Sequence, residues 1–238
     1  MGKGSVLYRV LKVILTPILR GLYGVKRDGL ETFPMEGPVI VVANHVSFLD
    51  SFWIPLSVPR RMVYLAKAEY FESWKTRWFF RALGMIPVKR DVKEKTEAAL
   101  QAGIEVLEQG GVIGLYPEGT RSPDGRLYRG RTGVARLAVR SGASVVPVGL
   151  VGSREVMPKS AKFPRPWGKV VVKFGPPLDF SRYEDRAEDR FVLRTITDEI
   201  MYEIMSLSGQ EYVDEYASIE ATDVVPEDFR IPIEEMLG

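Results

Sequence analysis

Val39-Ile40-Val41-Val42-Ala43-Asn44-His45-Val46-Ser47-Phe48-Leu49-Asp50 joins an unbroken apolar run to a polar exit. The run follows the breakers Pro34 and Gly37, and residues 38–44 read as a buried strand. His45, at the strand's exit, is the only histidine in 238 residues. Imidazole is the side chain best suited to moving a proton near neutral pH, and a nearby carboxylate can fix its tautomer and steady its cation. Asp50, five residues on, is a candidate for that partner. A lone histidine can equally be a hydrogen-bonded structural residue, although loops at strand ends carry function disproportionately.

A second site lies downstream. Tyr116-Pro117-Glu118-Gly119-Thr120-Arg121-Ser122 follows another apolar run, Val112-Ile113-Gly114-Leu115. It combines a carboxylate, a glycine that permits close backbone approach, a hydroxyl and a guanidinium suited to gripping phosphate. Around these two sites the elements alternate. Residues 48–57 read as a turn or short helix with Ser47 as possible N-cap, Arg61–Lys67 as a strand, 71–83 as a helix and 85–88 as a short strand. Lys93–Gln109 reads as a helix closed by Gly110-Gly111, and 131–141 as a helix ended by Gly142. Residues 112–116, 144–150 and 169–174 read as strands, and Tyr183–Leu207 as one long helix. This rhythm implies an α/β class: a single domain with a mostly parallel central sheet flanked by helices. In such sheets ligands bind beyond the carboxyl ends of strands, so both sites can share one cleft.

Four blocks of the chain, in order, resemble the glycerophospholipid acyltransferases, most closely the 1-acylglycerol-3-phosphate O-acyltransferases. They are Asn44-His45 with Asp50, matching the H-x4-D of that family; Gly84-Met85-Ile86-Pro87-Val88-Lys89-Arg90; Tyr116 to Ser122; and Val145-Val146-Pro147-Val148. The first and fourth blocks are weak signals singly, whereas the third together with the ordered spacing is specific. The resemblance covers roughly residues 25–205. Tyr116 stands where many relatives carry Phe, a substitution that keeps aromatic packing.

Composition agrees with this resemblance. At 45% hydrophobic content the chain can bury one sizeable core. Zero cysteines exclude disulfides and a cysteine nucleophile, and with one histidine they argue against a zinc site, so no metal and no cofactor is expected. The net charge of +2 hides a polarity. Residues 1–27 carry Lys3, Arg9, Lys12, Arg20, Lys26 and Arg27 with no acid, whereas from Gly209 onward nine acids face Arg230 alone. The expected organisation is an N-terminal amphipathic interfacial helical segment over 1–27, an acyltransferase domain over 28–208 and an acidic tail over 209–238.

Within the first segment Arg9, Lys12, Thr16 and Arg20 keep a helical rhythm, leaving Val6, Val10, Val13, Ile14, Ile18 and Leu22 among a wide apolar face. The uncharged stretch from Val13 to Leu19 falls far short of the roughly 20 residues needed to span a bilayer, and it contains Pro17. Such a helix suits an anionic membrane surface on the cytoplasmic face of a cytoplasmic or inner membrane; packing on the protein's own core is the competing reading. Nucleic acid is disfavoured by the apolar face and the near-neutral remainder. Two aromatic and cationic stretches, Trp74–Arg81 and Phe163–Lys169, could touch lipid or pack inward, and the second could cover the cleft. The tail reads as an arm over the core or a partly disordered segment.

The chemistry that the resemblance implies is acyl transfer from a thioester, acyl-CoA or acyl carrier protein, to the hydroxyl of lysophosphatidate. His45 would take the hydroxyl proton and Asp50 would orient the ring, a triad whose serine is replaced by the substrate's own alcohol. Ser47, the serine nearest in sequence, is expected to cap and not to attack. By the same resemblance Arg90 and Arg121 would bind phosphate, with Gly119 and Thr120 completing the loop and Lys67, Arg126, Arg129 and Arg131 as weaker candidates. Glu118 would accept a hydrogen bond from the glycerol backbone or fix an arginine. Two other readings remain: acylation of glycerol 3-phosphate or another lysophospholipid, and a membrane protein that binds lipid or thioester without chemistry.

Overall fold

A computed structural model describes residues 3–67, 86–88, 93–161 and 163–218. The expected helix over 71–83, the stretch Trp74–Arg81, Arg90 and the tail beyond 218 lie outside them.

The long apolar runs become a twisted sheet. Its strands are β1 (Lys26–Asp28), β2 (Val39–Ala43), β3 (Met62–Lys67), β4 (Ile86–Val88), β5 (Val112–Leu115), β7 (Ser144–Val151) and β8 (Val171–Phe174). Their order is β1-β8-β7-β2-β5-β3-β4. The pairs β7·β2, β2·β5, β5·β3 and β3·β4 are parallel, so five strands present their carboxyl ends at one edge. β8 runs antiparallel to β7, and β1 follows β8 in parallel. A separate two-stranded ribbon pairs β6 (Leu127–Tyr128) with β9 (Tyr212–Val213).

β2 sits at the centre with all five residues buried, as its uninterrupted apolar run requires. Val39, Val41 and Ala43 face one core layer, with Trp53, Ile54 and Tyr23, while Ile40 and Val42 face the other. The second layer is covered by α3 (Lys93–Glu108), α4 (Gly133–Ser141) and α6 (Arg190–Ser208), which supply Leu107, Leu137, Ile196 and Ile200. α6 buries Val192, Leu193, Ile196, Ile200 and Ile204, the stripe a 3.6-residue period produces. Gly142 ends α4 at φ 61°, a conformation that favours glycine.

Two expectations need correction. The single helix expected over 183–207 is divided: Ser181–Arg186 is a 3-10 stretch, and α6 starts only at Arg190. Asp189 sets that start, because its carboxylate accepts from the amides of Phe191 and Val192 at 2.9 and 3.3 Å. Likewise α2 (Asp50–Ser57) is not capped by Ser47; Leu49 occupies the cap position without a side-chain bond, and Ser47 Oγ accepts from Leu49 N at 3.2 Å. The loop amides are held instead by the Asp50 carboxylate.

α1 (Lys3–Tyr23) is a helix, and Lys12 and Thr16 of its polar stripe are half-buried against the protein while Arg20 is exposed. Lys12 Nζ donates to Val58 O, and Thr16, Leu19 and Arg20 line a small crevice with Trp53, Leu56 and Ser57. The C-terminal carbonyls of α2 are natural acceptors for cations, and Arg27 reaches Ser57 O at 3.5 Å. Burial, with Arg27 nearby, lowers Lys12 to about 8. Val13, Ile14, Ile18 and Leu22 are left exposed on the outer side. Among the described residues no helix is long and apolar enough to cross a membrane.

Candidate active site

Because five strands are parallel, the chain leaves the sheet at the same edge each time a candidate residue follows. His45 comes two residues after β2, Tyr116 directly after β5, Lys67 ends β3 and Ser153 comes two residues after β7. Asn44 ends β2 by bonding across to β7: its Oδ1 accepts from Leu150 N at 2.7 Å and its Nδ2 donates to Leu150 O at 3.1 Å. The same Nδ2 meets Gln210 Oε1 at 2.7 Å. His45 therefore emerges from a fixed point.

Asp50, at the first turn of α2, is wholly buried, while the His45 side chain keeps 16% of its surface exposed. Asp50 Oδ2 lies 2.9 Å from His45 Nδ1 and accepts from the amides of Val46 and Ser47 at 2.7 and 2.8 Å. Its Oδ1 accepts from Ser153 Oγ. A carboxylate surrounded by donors is acceptor-only, so Nδ1 carries the ring proton and Nε2 keeps a lone pair. The imidazole stacks on Tyr116 with centroids 3.9 Å apart and planes 9° from parallel. Tyr116 stacks in turn on Tyr64, and its hydroxyl donates to Tyr64 Oη at 3.1 Å. Burial, helped by Asp50, pushes the Tyr116 phenol well above its ordinary range, so it stays neutral. The arrangement can take a proton at Nε2 while its ring plane and tautomer stay fixed.

The third block wraps the same histidine from the other side. Glu118 is fully buried. Its Oε1 accepts from His45 N at 2.9 Å and its Oε2 from Tyr128 N at 3.0 Å. Neither bond goes to an arginine, and a buried carboxylate occupied by two chain amides is placed to brace the loop. Burial pushes Glu118 up to about 8. Gly119 turns the chain at φ 77°, where an added Cβ would also lie 3.0 Å from Arg131 Nε. Thr120 is buried. Ser122 N donates to His45 O at 2.7 Å, so the backbone next to Arg121 runs alongside that of His45. The structure thus brings His45, Asp50, Glu118, Gly119, Thr120 and Arg121 together. The Lys67 backbone pairs with Val88 at the same edge, but its side chain and all of Arg90 lie outside the described residues.

The sequence profile of the Acyltransferase family matches residues 24–151, more than half of the chain. The chain belongs to the Acyltransferase family. A 1-acyl-sn-glycerol-3-phosphate acyltransferase of Bacillus subtilis (strain 168) is 30% identical over 170 residues, covering 71% of this chain and 78% of that protein. The chloroplastic enzyme LPAT1 of Arabidopsis thaliana is 32% identical over 161 residues, 67% of this chain but 45% of the relative, so this chain spans less than half of its length. The crystal structure of the 1-acyl-sn-glycerophosphate (LPA) acyltransferase PlsC from Thermotoga maritima superposes with a TM-score of 0.66 at 27% identity, covering 86% of this chain and 79% of that one. Within this acyltransferase fold, sequence reasoning missed four contributors: Asn44 as an anchor, Tyr116 as a stacking partner, Ser153 on Asp50, and Gln210 from the tail. Ser153 lies 103 residues from Asp50 and Gln210 lies 166 from Asn44, and no spacing rule reaches that far.

Proposed function

We propose that the chain transfers a fatty acyl group from an acyl thioester, acyl-CoA or acyl carrier protein, to the sn-2 hydroxyl of 1-acylglycerol 3-phosphate, giving phosphatidate. The observation that carries this reading is the His45–Asp50 pair, its Nδ1 tied to a buried carboxylate and the ring partly open to solvent. The acceptor oxygen attacks the thioester carbonyl while His45 Nε2 takes its proton; the tetrahedral intermediate collapses, the C–S bond breaks, and the imidazolium returns the proton to the leaving thiolate. Asp50 steadies the imidazolium throughout, and no acyl-enzyme is needed. Arg121, with Arg90, binds the acceptor phosphate, for which a planar guanidinium is suited. Glu118 acts as a brace for the His45 backbone and not as a ligand of the glycerol.

The enzyme works as a peripheral protein on the cytoplasmic face of a membrane. Supporting this are the exposed Val13, Ile14, Ile18 and Leu22 of α1 and the projecting Phe163 and Trp167, 81% and 78% exposed. Trp167 is held at φ 66° in a loop whose Arg165 N is bonded to Val156 O at 2.7 Å. Aromatic side chains flanked by Arg165 and Lys169 suit the headgroup level of a bilayer.

An acceptor panel with one defined acyl thioester tests the reaction, with thiol release measured for 1-acylglycerol 3-phosphate, glycerol 3-phosphate and lysophosphatidylcholine. Release with the first alone supports the assignment. Preferred release with another acceptor moves the enzyme to that substrate, and no acceptor-dependent release removes catalysis.

A further inference from the structure

We propose that Ser153 is a positioning residue for the His45–Asp50 pair, holding the Asp50 oxygen that the imidazole does not use. The inference rests on the reading of His45 as the base. Ser153 opens the short helix α5 (Ser153–Val156) behind β7, outside all four blocks, and it is wholly buried. Gly152, at φ 81°, delivers it there: an added Cβ at that position would fall 1.9 Å from Lys169 O, so the turn into Ser153 is tolerated only by glycine.

The hydroxyl is oriented by its neighbours. Trp53 Nε1 donates to Ser153 Oγ at 3.0 Å, and an indole N–H can only donate. Ser153 has one proton, and with Trp53 on its lone pair that proton goes to Asp50 Oδ1. The opposite oxygen, Oδ2, carries Val46 N, Ser47 N and His45 Nδ1. Asp50 is thus gripped at both oxygens, which fixes its rotation and the direction in which Oδ2 meets the ring. Trp53 is itself fixed edge-to-face against Tyr23, the last residue of α1, at 5.4 Å and 66°. Without the hydroxyl, Oδ1 would be a buried carboxylate oxygen lacking its donor. More of the negative charge would then act on the imidazolium through Oδ2, and the carboxylate would lose one of its two anchors.

The test uses the full chain with acyl-CoA and 1-acylglycerol 3-phosphate in mixed micelles, comparing kcat, KM and the pH profile of kcat/KM. Ser153→Ala is expected to lower kcat about tenfold, the scale of one hydrogen bond to a charged group, with both KM values nearly unchanged. The acid limb of the profile should move to higher pH by about half a unit or more, because the imidazolium is stabilised. Ser153→Thr keeps the donor and should hold the wild-type acid limb. In an Asp50→Asn background Ser153→Ala should cost nothing further, since the two groups act as one unit. The inference is overturned if Ser153→Ala has the wild-type profile, if Thr moves the limb as Ala does, or if the same loss recurs in the Asp50→Asn background. A His45→Ala enzyme that keeps its rate would instead remove the base reading beneath it.

Discussion

His45 is held from two stretches of the chain: Asp50 of its own loop on its ring nitrogen, and Tyr116 and Glu118 of the loop after β5 on its face and its backbone amide. Removing the ring should therefore cost chemistry and little stability. His45→Ala should lower kcat by about three orders of magnitude, within the roughly 10²–10⁴-fold range of a general base, while the urea unfolding midpoint stays near wild type. A variant that retains tens of per cent of the rate would sink the proposed mechanism. Glu118 makes the opposite prediction. Burial raises its carboxyl from 4.5 to about 8, so between those values the folded chain binds more protons at this site than the unfolded chain. Its contribution is fully present below pH 4.5 and is lost as pH rises through about 8. Denaturant titrations should show stability falling across that window by roughly a few kcal/mol, with this component missing in Glu118→Gln. Identical slopes in the two proteins would mean that the carboxyl is not shifted.

The elements differ in how far the sequence reveals them. β2, β5 and β7 are legible because a central strand of a covered parallel sheet must be apolar on both faces, and Val39–Ala43 leaves no other reading. Gly142 and the Gly110-Gly111 pair mark the helix ends for the same local reason. The 183–207 span looked continuous because its apolar periodicity carries through, while the capping carboxylate of Asp189 is what breaks it. His45 and Asp50 were legible because they lie within one loop; Ser153 and Gln210 were not, because their contacts are purely tertiary. The same holds for the C-terminal segment. Gln210 Nε2 donates to Gly125 O at 2.6 Å, and along and just past β6 Leu127 N donates to Glu211 O and Arg129 N to Glu215 O, both at 2.9 Å. This strap, through β9, pairs with β6, which carries Tyr128, the second partner of Glu118. Truncation after Ser208 should make the Leu127 and Arg129 amides exchange rapidly and lower kcat several-fold through the weakened Glu118 brace, on the order of one lost hydrogen bond. Unchanged protection of both amides would show that the strap is dispensable.

At the scale of the whole molecule, the orientation of α1 decides how the proposed membrane docking would work. Amphipathicity alone distinguishes two faces of a helix without saying which turns inward. Here the C-terminal carbonyls of α2 draw Lys12 inward, Leu19 packs on the core, and Val13, Ile14, Ile18 and Leu22 are left outside. Docking should then depend more on inserted side chains than on a free cationic stripe, so vesicle binding should persist at high salt, where exposed charges are screened. Ile14 and Ile18 are 53% and 50% exposed, and replacing both by Glu removes the insertion without disturbing the core. Fully burying one such side chain is worth roughly 1.5–3 kcal/mol, so the double variant should lose at least about tenfold in affinity for anionic vesicles at an unchanged unfolding midpoint. The proposed acceptor is a bilayer lipid, and a cleft held at headgroup depth would take it without drawing its acyl chain into water. Activity on bilayer-embedded lysophosphatidate should therefore fall far more in this variant than activity on a short-chain soluble analogue. Equal losses on the two substrates would show that the outer face of α1 serves the fold and not the membrane, and binding that collapses with salt would return the docking role to the cations.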